Sequence, residues 1–398
     1  MEQNLQGNIW KYALILIANK RIFVAILSIY YLTIPDVTAQ TIGLLFLISN
    51  AAGFLFEIPS GYLSDKIGHK QALVIARMSM LVSTAFFLFA SDVAFLALGG
   101  VFLAISNAFQ SGTGSAFMHE TLRGLKREDD YTEIMGKIGS IGFAVPIVFM
   151  MTIPFLTSVS YKLPFIISLV TDAIGLFAAL SLVAPKVSPE HIEEIEATNF
   201  RQVLQEGHRL HFFVFSLFSG IVSGVLFATS GFRAPYQEML GIPVIWFGVL
   251  FGLGRMGASL MLAYSGGMKK RINVFSFYRL EILLYGGLIM LLGIFPAPWL
   301  VAGAFIIINA FNWGLSRIDE GYQMDIIKES KFKATLLSVG SQMELMIGAL
   351  VSFGLGFAIQ HLSYQYGFFS LGIVFFAILT PLYIFIVRHH KNDPRFAL

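Results

Sequence analysis

The chain has 398 residues, of which 56% are hydrophobic and 13% charged, with a mean hydropathy of +0.73. A soluble protein of this length carries about 25% charged residues, so a soluble globular fold is excluded. The absence of cysteine excludes disulfides and thiolate-held metals, and the net charge of +3 is spread over many short segments, which argues against a nucleic-acid surface.

The apolar residues stand in blocks of about 20, the length at which a helix crosses the hydrocarbon of a bilayer. Blocks such as 71–90 and 371–387 lack the alternation of a barrel strand. Helices are then the remaining way to satisfy the backbone in lipid. In chain order the expected spans are 10–33, 40–62, 70–90, 93–118, 133–156, 163–184, 211–232, 243–264, 273–294, 298–322, 334–358 and 365–388. The first is the least regular, because Asn19, Lys20 and Arg21 interrupt it. No cleavable leader is read ahead of it, since a short apolar region with a small-residue cleavage site is missing.

Basic residues fall on alternate sides of these spans. Lys66 and Lys70, Arg123 to Lys137, Lys269-Lys270-Arg271, Lys328 to Lys333 and Arg388 to Arg395 share one side, while the loops opposite hold only Lys162 and Arg233. Because basic loops stay inside, both termini are expected in the cytoplasm of the plasma (inner) membrane. A polar stretch from Ala184 to His211, with Pro185, Pro189 and an acidic run from Glu190 to Glu196, divides the chain near its middle. The expected organisation is a six-helix bundle over 1–184, a cytoplasmic linker over 185–210 and a second bundle over 211–398. The halves resemble one another: Asn107-Ala108-Phe109-Gln110-Ser111-Gly112 in the fourth span is matched by Asn309-Ala310-Phe311-Asn312-Trp313-Gly314 in the tenth. Parallel repeats of six spans are a known transporter architecture.

After the second span comes Gly61-Tyr62-Leu63-Ser64-Asp65-Lys66-Ile67-Gly68-His69-Lys70. This resembles the signature loop of the major facilitator superfamily. The preceding Glu57-Ile58-Pro59-Ser60 and the later Ser111-Gly112 with Glu120-Thr121-Leu122 are similar to a bacterial branch of it. The resemblance implies an all-α membrane fold of twelve helices in two pseudo-symmetric bundles, alternating between inward-open and outward-open states. It implies a latch in which Asp65 faces basic residues and the cytoplasmic end of helix 11, with Lys66, His69 and Lys70 beside it. Gly61 would allow close helix packing and Gly68 a tight turn. His69 departs from the family, which usually has Arg there.

Ionisable groups inside spans are costly and mark function by default. A carboxylate in apolar surroundings holds a proton more readily than one in water, so Glu344, then Asp319, Glu320 and Glu57, are the candidates for proton coupling. By family geometry, Arg21 and Arg255 join Asn107, Gln110, Asn309, Asn312 and Arg317 as candidates for the substrate cavity. Asp172 and Glu281, on outer helices, are read as structural pairs. No nucleotide-binding, zinc-protease or nucleophile-elbow motif is present in the sequence, so an enzyme is not expected, nor a cofactor or metal. The helix-5 antiporter motif and the helix-4 arginine of proton-coupled members are also missing. The expected function is secondary transport of a small molecule by a monomer in the lipid bilayer, as proton-coupled efflux of an amphipathic compound. Proton-coupled uptake of a polar or anionic nutrient is the alternative, and a non-transporting sensor or scaffold is an alternative of another class.

Overall fold

A computed structural model describes residues 2–111, 113–185, 200–328, 330 and 332–391. Its regular elements are helical. They begin with α1 (Glu2–Ala18), α2 (Leu27–Leu32), α3 (Ala39–Ile67), α4 (His69–Leu88), α5 (Val93–Gln110), α6 (Thr113–Gly124), α7 (Tyr131–Thr152) and α8 (Leu163–Leu180). The expected linker contains α9 (Phe200–Arg209), and after it come α10 (Phe212–Gly231), α11 (Arg233–Met239), α12 (Phe247–Lys269), α13 (Val274–Ile294), α14 (Pro298–Ile326), α15 (Lys333–His361) and α16 (Tyr364–His390). Among the described residues, 10 helices are long and apolar enough to cross a membrane. The acidic part of the expected linker lies outside the described residues.

Two expected spans are each built from two pieces. The first stops at Ala18 and resumes at Leu27, so Asn19-Lys20-Arg21 sits in a break. The fourth stops at Gln110, where Ser111 leaves helical geometry with ψ 125, and resumes at Thr113. Ser111-Gly112-Thr113-Gly114 explains this second break, because Ser, Thr and above all Gly form helix poorly.

The chain divides into two compact units, one of Met1–Asp36, Ile48–Ala197 and Phe247–Val249, the other of Val37–Leu47, Thr198–Trp246 and Leu250–Leu398. In the first unit α4 packs on α5 and α8, and α1 packs on α7 and α8. Its core runs through Tyr12, Ile15, Leu73, Phe117 and Ala179, all buried. An aromatic group continues it, with the Phe23 and Phe165 rings stacked at 4.5 Å and Tyr30 at 4.3 Å from Phe165.

In the second unit α10 lies along α15, and α13 along α16. Small residues set the first of these contacts. A Cβ on Gly224 would stand 2.8 Å from the Gly348 nitrogen and 2.9 Å from Ile347 Cγ2, so only hydrogen fits between the backbones. Apolar lipid offers helices little hydrophobic reason to associate, which leaves such close packing as a main source of cohesion.

Candidate functional site

Charged groups within the spans gather into one cluster in the first unit and two in the second. In the first unit the break after α1 delivers Arg21 to α4 and α8. Its Nη1 lies 3.5 Å from Asp172 Oδ2. The Thr84 hydroxyl donates to the same carboxylate oxygen and accepts from Arg21 at 3.2 Å. Arg77, wholly buried, donates from Nη2 to Asn19 Oδ1 at 2.6 Å and interacts electrostatically with Asp172 and Arg21. Arg21 is thus at ion-pair distance from Asp172, and Arg77 lies within the field of the same carboxylate. Asp172 is the structural partner that its outer helix led us to expect, and Arg21, a cavity candidate from sequence, is the cation it holds.

The acidic cluster of the second unit centres on Asp319 of α14. Ser219 of α10 donates to Asp319 Oδ1 at 2.6 Å, and Gln323 donates to Oδ2 at 2.8 Å. Tyr278 of α13 stands 3.5 Å from the Ser219 hydroxyl and stacks on Phe218 at 3.9 Å. Asp319 interacts electrostatically with Glu281 of α13 and with Glu344 of α15. Glu281 is buried, and its Oε2 has no hydrogen-bond partner among the described residues. None of the three carboxylates has a cation at ion-pair distance among the described residues. Glu281, expected to be half of a structural pair, instead stands with another acid. Glu344 belongs to the α10–α15 seam, where its backbone nitrogen is 3.5 Å from the place of a Cβ on Gly220. It is exposed inside a span, a place where lipid contact for a carboxylate is costly.

The second cluster of that unit is cationic. Glycines again bring the helices together: a Cβ on Gly254 of α12 would stand 2.7 Å from the Asn309 amide nitrogen of α14. Asn309 donates to the Phe251 carbonyl at 3.1 Å. The Arg255 guanidinium lies 4.0 Å from the Trp313 ring centroid and 5.1 Å from that of Phe251. Arg233, counted from sequence as an outer-loop residue, is buried on α11 with its guanidinium 4.5 Å from the same Phe251 ring.

The remaining candidates are dispersed. Arg317 and Glu320 form an exposed ion pair with each other at 2.5 Å. Asn312 is half-buried on α14; Asn107 is exposed on α5 and Gln110 is half-buried with its Oε1 unpartnered among the described residues. Glu57 lies within electrostatic reach of the Ser111 hydroxyl at the break of the fourth span. In the signature loop, Gly68 has φ +93 and leads into α4, and His69 Nδ1 stands 3.0 Å from Glu120 Oε1 of α6. Ser64 and Thr113 share a hydrogen bond of 2.9 Å, which ties α3 to the same helix. Lys66 is exposed and Lys70 half-buried, while the Asp65 side chain lies outside the description. Gly61 does not make the close packing expected of it, since no described atom comes within 4 Å of where its Cβ would stand.

Long apolar helices with charges clustered inside their spans define a polytopic membrane protein. The chain matches the Major Facilitator Superfamily over residues 12–318 and belongs to it; it moves solutes across a membrane and is not an enzyme. The uncharacterized MFS-type transporter YxaM of Bacillus subtilis (strain 168) is 24% identical over 382 residues, 92% of each chain. Among solved structures, the nucleoside transporter NupG superposes with a TM-score of 0.73 at 14% identity, covering 99% of this chain and 100% of its own. A bacterial homolog of the human lysosomal transporter Spinster, inward-facing and occupied, gives 0.70 at 15% identity over 98% and 97%. Likenesses at such identities speak for the fold alone.

Proposed function

We propose that this chain is a proton-coupled transporter of a small amphipathic molecule, exporting it as protons move inward. The carrying observation is the cluster around Asp319, a carboxylate within electrostatic reach of both Glu281 and Glu344, with no paired cation on any of the three among the described residues. Neighbouring like charges favour a shared proton, and coupled carboxylates take it up as a group rather than singly. Asp319 is the centre of this group, Glu344 its exposed member, and Glu281 the addition that its structure supports. Arg317 and Glu320, which neutralise each other on the surface, are left out of both sites. Glu57, beside the break of the fourth span, stays a secondary proton candidate. Trp313 and Phe251 beside Asn309 and Arg255 favour a cargo with apolar surface. The machine would be two six-helix halves rocking about a central path, acting as a monomer in the plasma (inner) membrane with both termini cytoplasmic, with the loop around Asp65 as the latch.

A second reading, uptake of a polar or anionic nutrient, draws on Arg255. Direction is decided by orientation: the chain is reconstituted into proteoliposomes of known sidedness and a pH difference is imposed. Asp319→Asn keeps the size and the hydrogen bond from Ser219 but ends proton exchange there. The variant should still exchange solute across the membrane and should fail to concentrate it. Wild-type accumulation by Asp319→Asn would refute the coupling role.

A further inference from the structure

Arg255 is a cation inside a span that makes no hydrogen bond or ion pair among the described residues; its Nε is buried without an acceptor. It is held instead by ring faces, at 4.0 Å from Trp313 and 5.1 Å from Phe251. A desolvated contact of this type orients a guanidinium and leaves its edge donors free. Arg233 shares the Phe251 ring at 4.5 Å, so two like charges converge on one aromatic. One turn along α11 on the same face, Gln237 is fully buried, and neither its amide nitrogen nor its oxygen has a partner among the described residues. Buried polar groups are nearly always satisfied, and the Gln237 amide nitrogen and the Arg255 Nε, donors without acceptors among the described residues, both ask for an oxyanion.

The surroundings say what the oxyanion is attached to. Trp313 remains 42% exposed beside the guanidinium, which leaves indole surface for a flat apolar body. Lipid cannot be what this face meets, because a guanidinium turned to hydrocarbon is among the costliest placements in a membrane. Asn309 and Asn312, on the same side of α14, add polar edges next to that surface.

We propose that Arg255, with Gln237 and Trp313, recognises an organic oxyanion carried on a planar apolar body, the Arg255 guanidinium taking the oxygens and the indole taking the plane, while the charge of Arg233 nearby adds to the positive field. This rests on the transport reading above and names the class of its cargo. Charge-assisted, two-pronged contacts to guanidinium are the strongest way a protein holds such oxygens.

The test is calorimetric titration of the full-length protein in detergent, without any gradient. Three probes of one shape are compared: 2-naphthoate, 2-naphthyl phosphate and the neutral 2-naphthamide. At least one anion should bind saturably and at least tenfold more tightly than the amide. Tighter binding of the carboxylate or of the phosphate ester identifies which oxyanion the site prefers. Arg255→Gln should weaken the anion at least tenfold and leave the amide unchanged, and Arg255→Lys should recover part of the loss. Should Arg255→Gln fail to elute as a folded monomer, the anion-to-amide comparison on the wild type decides alone. Equal binding of anion and amide, no binding of either anion, or full anion binding by folded Arg255→Gln would each overturn the inference. A protein that binds the anion but does not concentrate it under a pH difference refutes proton coupling and leaves this site standing. One that concentrates a neutral solute yet ignores the anions does the reverse.

Discussion

Removing the carboxylate of Asp172 should unfold the first unit far more readily than its small change in shape suggests. Asp172→Asn preserves size and can still accept from Thr84, so packing is conserved. What changes is charge. The native cluster holds Arg21 and Arg77 against one carboxylate, with side-chain exposures of 13% for Arg21 and 2% for Asp172. The variant leaves two buried guanidiniums with none. Breaking a buried pair by removing one partner costs about 3–5 kcal/mol, which at about 1.4 kcal/mol per decade lowers the folded-to-unfolded ratio by two to four orders of magnitude. Adding Arg21→Met returns the cluster to its native net charge and should recover most of the loss. The assay is thermal melting and folded yield of the detergent-solubilised chain, read by gel filtration, for the wild type, both single variants and the double. If Asp172→Asn melts with the wild type, or if the double variant is no more stable than Asp172→Asn, charge compensation is not what holds this cluster.

Glu344→Gln should keep solute exchange and lose most proton-driven accumulation; accumulation at the wild-type level would remove Glu344 from the proton path. Gly224→Val at the α10–α15 seam forces a methyl against the Gly348 nitrogen, 2.8 Å from the Cβ position, and should cost about 1–3 kcal/mol, visible as a lowered melting temperature. Gly68→Ala places a side chain at φ +93 and ψ 143, a region open essentially to glycine alone, at about 1–3 kcal/mol; unchanged melting and transport would show that the loop relaxes freely. The chain has no cysteine, so single cysteines report topology. Ser91→Cys should react with an impermeant thiol reagent on intact cells and Lys270→Cys only after permeabilisation, and the opposite pattern would invert the orientation.

The spans and the signature loop were legible because their signals are local. Twenty apolar residues announce a helix by length, and Gly68 sits where the turn before α4 needs it. The break of the fourth span also had a local signal, since Ser111-Gly112-Thr113-Gly114 is poor helix material inside an apolar block. The charge clusters were less legible. Which cation meets Asp172, or that Glu281 stands with Asp319 rather than with a base, depends on how each helix is rotated about its axis. A helix that is apolar all round carries little moment to fix that rotation. Arg233 was misplaced for a related reason. It follows the last apolar residues of its span, where a loop is the default reading, and only the short helix α11 turns it inward. The Arg255–Trp313 contact depends on Gly254, a residue whose meaning appears only once Asn309 lies against it.

The cluster of Arg21, Arg77 and Asp172 has a bearing on how the protein is made. Helices leave the ribosome in order, and Arg21 enters the bilayer with the first of them. The carboxylate it pairs with waits on α8, the last helix of the unit before the linker. Until α8 arrives, neither Arg21 nor Arg77 has a counter-charge from this cluster, so the opening segments have reason to linger at the water interface or beside the insertion machinery. The ion pair would then act during synthesis as a checkpoint that closes the first unit only when all of its helices are present.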